Sequence, residues 1–162
     1  MVELRNDVAS DWQQATCYLN GEWTALADAK VSVLDRGFIF GDGVYEVIAV
    51  DTVDGIRAPF RAHAHFARLQ RSLDAVRIDN PLVGEQWLDL TAEVIERNPW
   101  PRQLVYVQIT RGVAKRDHPF PAGVAPTVFV SSTPWPAIAS EQIEQGVAAA
   151  THVHERWLHC DI

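Results

Sequence analysis

At 162 residues, with 48% hydrophobic and 22% charged side chains, the chain has the make-up of a globular protein with a real core, which excludes a disordered tail or a low-complexity array. A formal charge of −7 gives no basic footprint for nucleic acid or for an anionic membrane. The opening MVELRNDVASDW is charged where a signal peptide needs an apolar run, and no stretch approaches the roughly 18–20 apolar residues of a membrane span, so a cytoplasmic protein is expected.

Along the chain, CYLNGEWTAL sets Asn20-Gly21 between short alternating runs, which predicts a tight hairpin near 16–26 whose central residues need positive φ. GVYEVIAVD alternates, so one side of a strand carries Tyr45 and the other Glu46. In HAHFARLQRSLDAVRI, Phe66, Leu69, Leu73 and Val76 recur at helical spacing, with Arg68 and Arg71 on the polar side. A second helix is expected from about Gly84 to Arg97, ended by NPWP. QLVYVQITRG and PTVFVSST then read as strands joined by a loop of about 15 residues, long enough to suggest a binding role. STPWPAIAS reads as a Pro-rich linker. Beyond it a new unit begins, with His152 and His154 on an expected strand and RWLHCDI resembling the middle of another. The order strands, helix, helix, strands predicts an α+β domain: a mainly antiparallel sheet with two flanking helices.

The chemistry-bearing residues are few. Gly41-Asp42-Gly43 is a turn, since neither a dinucleotide-type third glycine nor a P-loop lysine follows. Arg116 and His118 lie two apart, so in an extended loop both can point one way, and an arginine fork beside an imidazole is a good carboxylate receptor. From the residues alone, however, a solvated Arg-x-His is the favoured reading. No nucleophile elbow is present, and the histidine spacings fit no metal site. Cys17 and Cys160 lack CxxC or Cys/His spacing and are expected to be buried thiols.

Taken together, VSVLDRGFIFGDGVYEVI, HFARLQRSLDAVRI, VYVQITRGVAKRDHPFP and RWLHCDI resemble, in order and spacing, the fold-type-IV pyridoxal-phosphate enzymes, most closely their D-amino acid aminotransferase branch. The resemblance runs from about Tyr18 to Ile162. It implies residues 1–133 as an N-terminal α+β domain, 134–140 as a linker, and 141–162 as the beginning of the cofactor-binding domain. It implies a pyridoxal 5′-phosphate cofactor gripped at its phosphate by Arg68. The substrate α-carboxylate is implied to be received by Arg116 and His118, with a hydroxyl from Tyr45 and a supporting role for Arg156. The reaction implied is transamination between D-amino acids, such as D-alanine, and 2-oxo acids, in a homodimer with shared sites. The family's cofactor-bearing lysine is expected immediately after Ile162. The alternatives are a branched-chain L-amino acid aminotransferase, an aminodeoxychorismate lyase or, if the polypeptide ends there, an inactive remnant acting only through a partner chain.

Overall fold

The computed structural model describes residues 12–154. Strands β1 (Thr16–Leu19) and β2 (Glu22–Ala25) form the expected hairpin, with Asn20 at φ 52° and Gly21 at φ 100°. A short helix α1 (Arg36–Phe40) leads into β3 (Gly43–Val53) and β4 (Ile56–Pro59). Helices α2 (Ala62–Val76) and α3 (Gly84–Arg97) follow, then β5 (Gln103–Thr110), β6 (Thr127–Pro134) and α4 (Ser140–Gln145). The strands make one antiparallel sheet in the order β2-β1-β6-β5-β3-β4.

Alternation along the strands decides which face is covered. Ile48, Val50, Val105, Val107, Ile109, Val128 and Val130 point to the helix side and close on Phe66, Leu69, Leu73, Trp87, Val94 and Ile95 of α2 and α3. The Phe66 and Trp87 rings stack 5.9 Å apart, and the Trp87 indole N–H is satisfied by Asn80 Oδ1 at 3.0 Å. Asn98 ends α3 and ties it to β1: its amide donates to Thr16 O at 3.0 Å while Thr16 N donates back to Asn98 Oδ1 at 3.0 Å. The opposite sheet face carries Tyr45, Val47, Tyr106 and Phe129, and no described helix covers it.

One sequence expectation is corrected, and one element was not foreseen. The stretch before Gly41 is a helix, because Asp35 caps it by accepting from Gly37 N at 2.7 Å and Gly41 ends it in the left-handed region at φ 66°. Residues 146–154 form no strand among the described residues, and His152 and His154 are exposed there; the segment pairs with neither edge of the sheet, so its backbone gains no ladder hydrogen bonds. Trp135 continues from β6 and lies against Arg102, whose guanidinium carbon is 4.7 Å from the ring centre. Cys17 is fully buried, as expected, and burial pushes its thiol pKa up; Cys160 lies outside the described residues.

Candidate active site

The loop between β5 and β6 is fastened to the sheet by a buried ionic knot. Arg36, at the start of α1, donates through Nε to Asp42 Oδ2 at 2.8 Å and through Nη1 to the carbonyl of Asp117 at 2.7 Å. Arg111 grips the same carboxylate from the other side, Nε to Oδ2 at 2.8 Å and Nη2 to Oδ1 at 3.0 Å. Its remaining donors reach the carbonyls of Val76 and Arg77 at 2.7 Å, where a cation also suits the negative end of α2. Phe120 closes over Arg111, 3.8 Å from ring centre to guanidinium carbon. Gly112 opens the loop at φ 97°, and a side chain there would collide with the Ala125 carbonyl.

Arg116 and His118 are both exposed and both gather on Phe40, the last residue of α1. The Arg116 guanidinium carbon is 5.3 Å from the Phe40 ring centre, and the His118 ring 6.0 Å. Arg36 lies against the same ring at 4.7 Å. Phe40 thus touches three side chains. Two of them carry free donors toward solvent, a suitable arrangement for an anionic carboxylate.

Arg68 meets Glu46, which projects from the buried face of β3. The pairing is a fork: Arg68 Nε to Oε1 at 2.7 Å and Nη2 to Oε2 at 2.6 Å, with His65 Nδ1 2.8 Å from Oε2. Glu46 is 2% exposed, whereas the Arg68 side chain is 60% exposed. Glu46 therefore fixes the Nε–Nη2 edge of the exposed guanidinium and takes no donor of Nη1, a geometry that fits a bound phosphate. Tyr45, the residue before Glu46, points to the uncovered face, is 66% exposed, and packs on Tyr106 at 5.8 Å rather than on Arg116 or His118. Burial and the neighbouring Tyr45 raise the Tyr106 hydroxyl, which donates to Gln108 Oε1 at 2.9 Å. A cavity of about 430 Å³ opens on this face beside Phe38, Gln108, Thr110 and Phe129. Arg156 lies outside the described residues.

Within one chain, then, the structure unites Arg116 with His118 and sets Arg68 and Tyr45 on opposite sides of β3. Sequence reading missed Arg36, Asp42, Glu46, His65 and Arg111. The inward phase of Glu46 in an otherwise apolar strand face was the available signal, because a buried carboxylate needs a partner.

Burial works to raise both carboxylates, but the hydrogen bonds and charge of Arg111 and Arg36 hold Asp42 below its ordinary range, and those of Arg68 and His65 do the same for Glu46. A depressed folded-state pKa stabilises above the unfolded value, about 4, and the contribution is lost as pH falls through the folded value. Melting temperature should therefore hold from about pH 5 upward and fall below about pH 4. Asp42→Asn should cost about 3 kcal/mol at neutral pH, with the deficit narrowing in acid. Thermal denaturation of both proteins across pH checks this; a deficit that stays constant into acid would contradict it.

The domain is therefore an antiparallel sheet with two helices on one face and an Arg-x-His loop leaving the end of β5. The chain belongs to the aminotransferase class IV family, whose model matches residues 43–162. It is 38% identical over 145 residues to a D-alanine aminotransferase of Staphylococcus epidermidis, covering 90% of this chain and 50% of that relative. A D-alanine aminotransferase of Bacillus licheniformis is 36% identical over 143 residues, covering 88% and 49%. The chain thus spans about half the length of the curated relatives it matches. Among solved structures, the Escherichia coli branched-chain amino acid aminotransferase superposes with a TM-score of 0.73 at 25% identity, over 79% of this chain and 42% of that one. The 4-amino-4-deoxychorismate lyase of Pseudomonas aeruginosa does so with 0.62 at 26%, over 81% and 44%.

Proposed function

We propose that this chain forms the substrate-recognising part of a pyridoxal-phosphate-dependent transaminase that acts on D-amino acids, D-alanine among them, with a 2-oxo acid as acceptor. The observation that carries the proposal is the pairing of Arg116 with His118 on Phe40, in a chain whose D-alanine aminotransferase relatives match it over nine-tenths of its length.

Arg68 holds the cofactor phosphate through the edge that Glu46 leaves free, and its charge persists at any working pH. When bound, pyridoxal phosphate supplies an electron sink for the pair left at the substrate Cα. The chain's own residues bind and orient. Arg116 takes the α-carboxylate as a charged partner, His118 adds a hydrogen bond, and Tyr45 offers its hydroxyl. Holding the carboxylate on one side decides which Cα substituent lies along the line of proton transfer, and hence which enantiomer reacts. Arg156 is assigned only the supporting role that the family resemblance implies.

Because Tyr45 and the Arg116–His118 pair do not meet within one chain, we assign the complete receptor to a homodimer. The uncovered sheet face bearing Tyr45, Tyr106 and Phe129 supports this. Among the described residues, no helix is long and apolar enough to cross a membrane. The intact protein should be yellow, and D-alanine should shift its visible absorbance while a 2-oxo acid restores it. A protein that takes up the cofactor but changes colour with L-leucine or aminodeoxychorismate, and not with D-alanine, would transfer the chain to the branched-chain or lyase reading.

A further inference from the structure

We infer that Arg36 and Phe40 are positioning residues for the carboxylate receptor: together they fix the backbone and side chains of 116–118, and through them the enzyme's affinity for the α-carboxylate. The inference rests on the receptor role proposed for Arg116 and His118.

Three independent contacts converge on this short segment. Arg36 is 4% exposed, its Nε is committed to Asp42, and its Nη1 donates to the carbonyl of Asp117, the residue between the two receptor side chains. Phe40 then supplies a surface beneath both, 5.3 Å from Arg116 and 6.0 Å from His118, and itself rests on Arg36 at 4.7 Å. Meanwhile Asp42 is held by Arg111, which is anchored to the end of α2, so the strut does not end on a mobile group. A loop of this length with exposed tips ordinarily samples many conformations, and each must be given up when a carboxylate binds. A strut from a buried arginine to the central peptide removes that cost beforehand. Neither Arg36 nor Phe40 need touch the substrate.

Two variants separate positioning from folding. Arg36→Lys keeps the charge opposite Asp42 but lacks the second arm that reaches Asp117 O. Phe40→Leu leaves the ionic knot intact and removes the aromatic surface, and Phe40→Tyr restores it. In the cofactor-loaded enzyme, Arg36→Lys and Phe40→Leu should each raise KM for D-alanine about tenfold with a smaller change in kcat. D-alaninamide, which has no carboxylate, should be handled as by the wild type, and Phe40→Tyr should recover the D-alanine value. Propionate, a carboxylate and nothing more, should bind about tenfold more weakly by calorimetry. Trypsin should cut after Arg116 faster in both variants than in the wild type. Equal losses on D-alanine and D-alaninamide, or an unchanged KM, propionate affinity and trypsin rate, would overturn the inference. If the wild type itself fails to prefer D-alanine over D-alaninamide, the receptor reading fails instead, and the trypsin rate alone decides whether Arg36 and Phe40 pin the segment.

Discussion

Arg116→Ala, folded and loaded with cofactor, should lose about 10- to 100-fold in kcat/KM for D-alanine, the worth of one charge-assisted pairing with the α-carboxylate. Arg116 is exposed and lies on the face of Phe40, so its removal leaves no buried charge unpaired and should barely change stability. The loss is therefore readable as recognition. Part of it should appear in kcat, because a carboxylate held loosely lets the Cα–H swing away from the line of proton transfer. His118→Ala should lose less, since an imidazole edge offers a single hydrogen bond where the guanidinium offers a charged fork. Steady-state kinetics on variants with matched cofactor content checks both, and undiminished D-alanine turnover by Arg116→Ala would remove that residue from the site.

Arg68→Ala should act on a different quantity. Cofactor affinity should fall about 10- to 100-fold, while kcat at saturating cofactor changes little, because the phosphate takes no part in bond making. This variant also strands Glu46, which is 2% exposed and would keep only His65 as partner, so some loss of thermal stability should accompany the loss of affinity. Arg68→Ala combined with Glu46→Gln separates the two: stability should recover and cofactor affinity should not. Full retention of cofactor by Arg68→Ala through dialysis would refute the assignment.

Much of the scaffold was legible because its signals are local. Asn20-Gly21 supplies the positive φ of the hairpin, and the apolar spacing of α3 together with Pro99 sets its limits at Gly84 and Arg97. The alternation of β3 placed Tyr45 and Glu46 on opposite faces, as observed. The five-residue helix α1 was missed because it is too short to show a period, and its cap and its closing glycine are the features that define it. The ionic knots were illegible for another reason. Arg111 meets Asp42 across 69 residues of sequence and Arg68 meets Glu46 across 22, so only the packing of α2 on β3 and the pairing of β3 with β5 bring them together. A single sequence displays those charges without their partners. The spacing of Arg116 and His118 left them at least as readily solvated as paired, and the Phe40 ring on which both gather could not be read from it.

If, as proposed, the receptor selects D-amino acids by the direction in which it holds their carboxylate, the most direct measurement is the ratio of kcat/KM for D-alanine to that for L-leucine in the intact, cofactor-loaded enzyme. The account predicts a ratio far above one, falling toward one in Arg116→Ala as the carboxylate loses its fixed direction. A ratio below one in the wild type, with L-leucine the better substrate, would contradict it.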